Sequence, residues 1–377
     1  MSGIYIHIPF CKQACHYCDF HFSTSLKKKD EMVDALVHEI IFRKSEIGDA
    51  EIHTIYFGGG TPSILSVTEI QRIIDSIYAH YTVIEDPEIT LEANPDDLSK
   101  EKILELADSA VNRLSIGIQS FFDEDLQLMN RAHNSHEALD SLTMACEKFQ
   151  NISIDLIYGI PNMSIERWQQ NIDKALEYNI AHISCYALTV EPNTALPKLI
   201  AKGEIPAVDD DLAQEHFEFL ITHLEQHGFV HYELSNFGKP GYFSKNNTAY
   251  WQGKPYLGIG PSAHSYNKKQ RSWNINNNTK YIQALQQNKL PAEIEDLSIT
   301  DQYNEYVMTG LRTIWGVSLK KIASEFGKKY CEYLLLQAQK HIEEHLLFLD
   351  DDTLLVTKKG KFLSDGIASD LFLVNLG

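Results

Sequence analysis

The sequence is poor in positive charge and in cysteine, and it has no long apolar run. Only 33 Lys and Arg stand against 52 Asp and Glu, so the net charge is −19. This balance disfavours nucleic acid as a partner, because phosphate-binding proteins present basic faces. No apolar run approaches the ~20 residues that cross a bilayer, and the start MSGIYIHIPFC lacks the basic and apolar regions of a signal peptide. We therefore expect a cytoplasmic protein that is not integral to a membrane.

Short apolar runs alternate with longer stretches of helical period over the first 230 residues. This alternation predicts a parallel sheet with crossover helices. Since eight such units close a TIM barrel, six predict an α/β fold with an open, three-quarter (β/α)6 barrel, free on one side for a large substrate. The predicted strands are 3–10, 53–59, 88–95, 113–120, 152–161 and 182–190. The predicted helices are 30–44, 67–81, 99–110, 135–149, 164–178 and 209–228.

The texture of the sequence changes after this barrel core, 1–230. Residues 231–290 are rich in Gly, Asn and aromatics, which predicts a strand-and-loop segment beside the barrel mouth, with an exposed connection at 270–280. Residues 291–377 predict helices followed by two short strands, an arrangement that resembles a winged-helix module. Because this module is nearly balanced in charge, we expect a lid or partner surface rather than a DNA-binding domain.

Three of the six cysteines lie within eight residues, at Cys11, Cys15 and Cys18. A disulfide would leave an odd thiol and needs an oxidising compartment. A cubane iron–sulfur cluster takes thiolates, and three thiolates on four irons leave one iron open. A structural zinc ion needs four ligands, so that alternative stays open only with a histidine as the fourth. The histidines that would serve are His7, His16 and His21.

A run of three glycines follows the second predicted strand, in YFGGGTPS at 56–63. Glycines let the backbone approach a ligand closely and present N–H groups to it, whereas a tight turn would need only one glycine. No G-K-[ST] follows, so this is not a phosphate loop. We interpret the run as a ligand-binding loop.

Polar residues also mark the ends of the next three strands. Glu92 ends the third, Gln119 ends the fourth, and Asp155 lies in the fifth. Sites in parallel barrels are built at the carboxyl ends of strands, so these residues and the cysteine loop are expected on one face. The other three cysteines are interpreted as ordinary buried thiols; they are Cys146, Cys185 and Cys331.

The C-x-x-x-C-x-x-C pattern directly after the first strand of such a barrel resembles the radical S-adenosylmethionine (radical SAM) superfamily. The resemblance implies a [4Fe-4S] cluster on Cys11, Cys15 and Cys18, with S-adenosylmethionine chelated by the open iron. Further motifs resemble the oxygen-independent coproporphyrinogen III oxidase family across nearly the whole chain: YIHIPFC, GGGTPS, LEANP, LSIGIQS, RAH, IDLIYGIP and YLGIGPSAHS. By this resemblance, the contacts to S-adenosylmethionine are Tyr5, Gly59, Gly60, Thr61, Glu92, Gln119, Arg131 and Asp155.

Two features differ from the true oxidases of that family. Where they carry a further cysteine two residues after the third, this sequence has Phe20, and the cluster motif is reached almost at once. Both features are similar to the HemW branch, whose members are regarded as haem chaperones.

The haem-binding pattern proposed for that branch is His-Asn-x-x-Tyr-Trp. Here the stretch begins with Asn246, so the histidine is missing, and an amide is a poor ligand for haem iron. The resemblance implies a haem contact region at Asn247, Tyr250 and Trp251. Another nearby side chain would replace the missing ligand, and the candidates are His231, His264 and Tyr250.

Two functions remain open from the sequence. The first is a haem chaperone that binds haem, one cluster and S-adenosylmethionine, and delivers haem to respiratory acceptor proteins. The alternative is an enzyme of porphyrin biosynthesis, the oxidase itself, which converts two propionates of coproporphyrinogen III to vinyl groups. Whether the chain is an enzyme at all is not decided by its residues, and a zinc-stabilised module without redox chemistry is a third hypothesis.

Overall fold

A computed structural model describes residues 2–48 and 50–374, which form a large α/β unit and a smaller C-terminal unit. The strands are β1 (Ser2–Ile8), β2 (Ile52–Gly59), β3 (Val83–Ala93), β4 (Arg113–Gln119), β5 (Ile152–Tyr158), β6 (His182–Ala187), β7 (Val230–Glu233), β8 (Asn236–Gly238), β9 (Tyr256–Ile259), β10 (His264–Tyr266), β11 (Gln270–Asn274), β12 (Ala292–Asp296), β13 (Val317–Ser318), β14 (Leu347–Asp350) and β15 (Thr353–Val356). The helices are α1 (Lys29–Phe42), α2 (Val67–His80), α3 (Lys100–Ala107), α4 (Asp123–Leu128), α5 (Ser135–Lys148), α6 (Ile165–Glu177), α7 (Leu196–Ala201), α8 (Asp210–Gln226), α9 (Lys245–Trp251), α10 (Asn278–Gln286), α11 (Ile299–Leu311), α12 (Leu319–Glu325), α13 (Lys328–Glu343) and α14 (Ser364–Asp370).

The barrel is an open arc of six parallel strands. Strands β1 to β6 lie side by side in chain order, and the sheet continues past both ends instead of closing. Strand β9 pairs in parallel with β1 and is followed by antiparallel β10, β11 and β12, while β8 and β7 extend the other end. The predicted fold class, an open three-quarter barrel, is confirmed.

Apolar and polar side chains alternate along the strands, so one face of the sheet packs against the helices and the other lines a polar lumen. In β1, Ile4, Ile6 and Ile8 are buried at 1% exposure or less and point toward the helices. Tyr5 and His7 point the other way, because successive side chains of a strand face opposite sides. The apolar positions of all six strands form one core with the helices, which holds the strand ends and therefore the lumen in place.

The predicted exposed connection at 270–280 is wrong. Its first half is β11, which pairs with β10 and β12, and its second half begins α10. Asn274 is buried and donates to the carboxylate of Glu39 at 2.7 Å and to the Gly260 carbonyl at 2.8 Å, whereas Asn276, Asn277, Thr279 and Lys280 are exposed. Similarly, the segment 231–266, predicted to contain only strands and loops, contains helix α9. In both places, tertiary hydrogen bonds stabilise elements that have no apolar period.

The C-terminal unit has its own core and its own small sheet. Helices α11, α12 and α13 pack over the antiparallel sheet β13-β15-β14. It meets the barrel unit through side-chain contacts, including Lys361 Nζ donating to His231 Nδ1 at 2.7 Å and the Arg312 guanidinium 5.1 Å from the Trp251 ring. Within the residues that the structure describes, none of the helices is both long and apolar enough to cross a bilayer.

Candidate functional site

The three clustered cysteines lie on a loop that leaves the end of β1 and crosses the top of the lumen. The loop has no regular structure of its own, and neighbouring elements hold it by hydrogen bonds. The Cys11 amide donates to the Ser23 carbonyl at 3.1 Å, and the His16 amide donates to the Met129 carbonyl at 3.1 Å. Gln13 donates to the Asn130 carbonyl at 2.9 Å. The end of α4 therefore fixes the middle of the cysteine loop.

Cationic and hydroxyl groups face the cysteine sulfurs. Arg131 Nη1 donates to Cys15 Sγ at 3.3 Å, and the Thr61 side chain is a hydrogen-bond partner of Cys11. Burial raises the pKa of the Cys11 and Cys18 thiols to about 11. Thiolates at these positions therefore need a strong positive partner, which the irons of a cluster supply when bound.

The spacing of the side chains does not match a single zinc ion. Across residues 2–48 and 50–374, no three His, Cys, Asp or Glu side chains converge as ligands of one ion. Tetrahedral zinc with Zn–S bonds of ~2.3 Å requires sulfurs in van der Waals contact, whereas each cysteine of a cubane cluster binds a different iron. His7 and His16 are also engaged elsewhere, donating to the carbonyls of His21 and Leu128 at 2.9 Å each.

The glycine run lies against the base of the cysteine loop, and Gly59 and Gly60 contact different residues there. A Cβ on Gly60 would stand 2.6 Å from the Phe10 carbonyl oxygen and 2.8 Å from that of Ile8. Gly59 has φ of 106°, and its Cβ would meet the His7 ring at 2.5 Å. The Gly60 amide donates to Ile8 and the Thr61 amide to Phe10, at 2.9 and 2.7 Å. The run therefore packs against the start of the cysteine loop, and this close contact leaves no room for side chains at Gly59 and Gly60.

The lumen below the loop is polar and open. Glu92 accepts a hydrogen bond from the Tyr56 hydroxyl at 2.8 Å, and Asp155 accepts one from Ser115 at 3.4 Å. Tyr186, also in the lining, keeps 45% of its surface exposed although it stands at the end of β6. Burial raises the pKa of Glu92 to about 7 and that of Asp155 to about 6. The lumen thus offers two carboxyl groups that ionise close to neutral pH, suited to a cationic ligand.

Gln119 and Arg131 complete the upper part of the lumen. Gln119 has φ of 67°, a left-handed conformation that is rare for a residue other than glycine and that is found at functional sites. Arg131 donates to the Gly117 carbonyl at 3.1 Å and to Asn94 Oδ1 at 2.7 Å. Asn94 in turn donates to Thr61 at 3.3 Å, so it links the glycine loop to the arginine.

Sequence reasoning misses three residues of this lumen. Asn94 lies inside the LEANP motif but is not predicted as a contact. Tyr56 and Arg113 lie within predicted strands, Tyr56 among apolar residues and Arg113 at a strand start, so neither is singled out as a site residue. Arg113 is only 2% exposed and faces the base of the lumen with His182. A signal is available, because all three are polar residues in or directly after the predicted strands. The residues predicted to contact S-adenosylmethionine lie around this same lumen.

The predicted haem contacts are not brought together in one place. Asn247 faces the base of the lumen, while Trp251 on the same helix lies under the Arg312 guanidinium. His231 is buried, with Nε2 donating to the Leu234 carbonyl at 3.0 Å and Nδ1 accepting from Lys361. Both ring nitrogens of His231 are therefore occupied. His264 and Tyr250 are exposed on the lumen side of the extended sheet.

Comparison with known proteins agrees with this architecture. Residues 5–175 match the Radical SAM superfamily and residues 297–363 match the HemN C-terminal domain. The fold is similar to the structure of coproporphyrinogen III oxidase (HemN) from Escherichia coli, with a TM-score of 0.84 over 98% of this chain and 90% of that one, at 24% identity. The open barrel with its cysteine loop is thus that of a radical SAM protein.

Full-length relatives narrow the assignment. "Heme chaperone HemW" of Bacillus subtilis is 34% identical over 97% of this chain and 98% of the relative. That of Escherichia coli is 32% identical over 98% of each chain. The mouse protein "Radical S-adenosyl methionine domain-containing protein 1, mitochondrial" is 32% identical over 97% of this chain and 86% of its own length. The chain belongs to the HemW family of haem chaperones, which favours the chaperone over the oxidase.

Proposed function

We propose that this chain binds haem and hands it to acceptor proteins in the cytoplasm or at the membrane surface, while carrying a [4Fe-4S] cluster and S-adenosylmethionine. The likeness to named haem chaperones over the full length carries this proposal. Phe20 supports it from the site: its side chain is 65% exposed next to the cysteine loop, where the oxidase pattern would have a further cysteine.

The cluster is proposed to be held by Cys11, Cys15 and Cys18, with Arg131 against its surface. When bound, the cluster and S-adenosylmethionine supply a reducing electron and a source of radical chemistry. The chain's own part is to orient the cationic ligand, and Glu92 and Asp155 are the carboxylates that would face its positive charge. Gly59, Gly60 and Thr61 would line the ligand with backbone, since side chains are excluded at the glycines. The amides of Gly60 and Thr61 already donate to the carbonyls of Ile8 and Phe10, so the expectation that these two N–H groups bind the ligand is wrong.

Affinity for S-adenosylmethionine is expected to depend on pH. Because burial raises the pKa of Glu92 to about 7 and that of Asp155 to about 6, both carboxyls lose their charge as the pH falls through this window. We expect the dissociation constant to be roughly tenfold larger at pH 6.0 than at pH 7.5. The reason is that the ionised fraction of a carboxyl falls by up to a factor of ten for each pH unit below its pKa. Equilibrium binding to the cluster-loaded protein measures this.

The matched control for the pH dependence is Glu92→Gln. It should bind S-adenosylmethionine weakly at both pH values and show only the smaller dependence that Asp155 leaves. A wild-type affinity that stays constant between pH 6.0 and 7.5, over an intact cluster, would contradict the role given to the two carboxyls.

One anaerobic incubation separates the chaperone from the oxidase. The reconstituted protein is mixed with S-adenosylmethionine, a reductant and coproporphyrinogen III, and 5'-deoxyadenosine and protoporphyrinogen are quantified together. We expect no protoporphyrinogen. A parallel titration with haem should give a saturable Soret shift. Protoporphyrinogen with about two deoxyadenosines per product would instead identify an oxidase, and a linear, non-saturating haem titration would refute the chaperone.

A further inference from the structure

A row of aromatic side chains extends from the barrel lumen across β9, β10 and β11; we call Tyr250, Tyr256, Tyr266, His264 and Trp273 the aromatic strip. The ring centres of Tyr250 and Tyr256 are 5.6 Å apart, and those of Tyr256 and Tyr266 are 6.2 Å apart. His264 lies opposite Trp273 in the ladder, with ring centres 6.0 Å apart at 30°. The strip therefore consists of a tyrosine group and the His264–Trp273 pair, which follow one another along β10 and β11.

The strip lies on the lumen side of the sheet. The alternate residues face the helices: Ser265 accepts a hydrogen bond from Arg43 at 3.2 Å, and Asn274 donates to Glu39. Since neighbouring residues of a strand face opposite sides, His264 and Trp273 face the lumen side. Along β1, Tyr5 pairs with Gly258, so the strip begins directly beside the strand that leads into the cysteine loop.

His264 has an imidazole that is available to a ligand. It is exposed, and its ring forms no hydrogen bond with any residue that the structure describes, unlike His7, His16, His21 and His231. Partial burial and the positive charge of Arg271 lower its pKa, which favours the neutral form of the ring. A neutral imidazole is the form that binds iron.

Positive charge begins at the far end of the strip with Arg271. This residue pairs with Tyr266 in the ladder, and its side chain is 36% exposed. Glu295 and Glu305 contact its guanidinium from the neighbouring strand and from α11. Because the guanidinium has five N–H donors, it can hold a further anion beside these two carboxylates.

Lys254 lies just before β9 and Lys268 lies in the turn from β10 to β11, so both lie at the end of the sheet where Tyr256, Tyr266 and Arg271 pair. We call these two residues and Lys321, whose Nζ lies 4.0 Å from the centre of the Tyr306 ring, the lysine cluster. Burial lowers the pKa of Lys321, and the positive charges of Lys254 and Lys268 lower it further although Glu325 opposes them. None of the three forms an ion pair within the described ranges. Lysines that crowd one another in a chain of net charge −19 mark a place for an anion.

We propose that haem lies on the aromatic strip, with His264 as an axial ligand of its iron and its propionates directed to Arg271 and the lysine cluster. This inference rests on the proposed haem binding and names where it occurs. Tyr266 lies ~7 Å beyond His264 along β10, and Lys268 follows in the turn from β10 to β11, so a porphyrin placed over His264 extends along the strand toward these positive charges. The neighbouring tyrosine rings are tilted by 45° and 32° to one another and supply aromatic surface for contact with a macrocycle.

The first test is a haem titration of wild type, His264→Ala and His136→Ala, read as difference spectra so that absorption of the cluster cancels. His136 is 83% exposed on α5 and pairs only with Asp140, so it is the matched control. We expect His264→Ala to bind haem at least ~100-fold more weakly, since even changes to groups that only support a metal ligand cost 10- to 100-fold in metal affinity. Added imidazole should restore the wild-type Soret position.

The outcomes separate the two proposals. If wild type and His264→Ala bind haem with the same affinity and the same spectrum, the placement on the strip is wrong while the haem chaperone stands. If wild type shows no saturable binding, both fail. If His264→Ala loses binding and imidazole does not restore the spectrum, His264 is not the ligand. The control variant His136→Ala is expected to bind haem with the wild-type affinity and spectrum.

The propionate contacts have their own test. Wild type is expected to bind haem roughly tenfold more tightly than haem dimethyl ester at low salt, because exposed ion pairs each contribute a few-fold and are screened by salt. Lys268→Asn should reduce this preference, and asparagine tolerates the φ of 77° found there. Lys148→Gln, an exposed lysine of α5, should not. Equal preference in all three proteins would overturn the propionate assignment.

Discussion

Replacing Cys15 with alanine is expected to remove the iron–sulfur cluster completely. Anaerobically reconstituted wild type should hold about four iron atoms and four sulfides per chain, and Cys15→Ala fewer than about one. Two remaining thiolates on a loop held by backbone hydrogen bonds do not retain a cubane, and Arg131 would lose its contact at 3.3 Å with the missing sulfur. Iron and sulfide analysis, with the 5'-deoxyadenosine yield, measures the effect.

The control for this loss is Cys331→Ala. Cys331 lies on α13 in the C-terminal unit, so its replacement should leave the iron content at the wild-type value. It is only partly buried, as is Cys146, so the prediction of buried thiols is confirmed for Cys185 alone. Haem binding by Cys15→Ala should also persist, because the aromatic strip contains none of the cluster cysteines. Zinc in place of iron in the wild type, or full iron content in Cys15→Ala, would contradict the assignment.

Replacing Gly60 with alanine is expected to destabilise the protein strongly although only one methyl group is added. That methyl would stand 2.6 and 2.8 Å from two backbone carbonyl oxygens, those of Phe10 and Ile8. Backbone atoms cannot rotate away as a side-chain tip does, so the start of the cysteine loop must shift. We expect a loss of about 3 kcal/mol in the free energy of unfolding, at the upper end of overpacking effects, measured by chemical denaturation.

The matched control is Gly366→Ala. Gly366 is exposed on α14, and its added Cβ would meet nothing within 4 Å. In a helix this exchange should stabilise by about 0.5–1 kcal/mol, so the two substitutions differ in sign. Gly60→Ala should in addition lose the cluster in part, because the loop that carries Cys11 begins at the displaced carbonyls. Equal stability of the two variants would show that the glycine run is spacious.

The class of the fold and the position of the cysteine loop can be predicted from local patterns in the chain. Six βα periods and the spacing of Cys11, Cys15 and Cys18 are local patterns, legible because each strand's alternation and each helix's period are set within a few residues. The polar strand ends at Glu92 and Asp155 are legible for the same reason. Because parallel strands end on one side of a barrel, their order along the chain is enough to place these two carboxyls together.

The elements beyond the barrel edge depend on contacts between distant parts of the chain. β11 and α9 have no apolar period, and long-range hydrogen bonds such as Asn274 to Glu39 stabilise their surroundings. For the same reason the sequence does not show which of the candidate haem contacts is available to bind haem. Their differences arise from partners distant in the chain or across a ladder. Lys361 donates a hydrogen bond to His231, and the Arg312 guanidinium lies over Trp251. The His264 ring lies 6.0 Å from that of Trp273 and has no hydrogen bond within residues 2–48 and 50–374. Such pairings are not encoded in local periodicity, because they depend on how separate elements pack against one another.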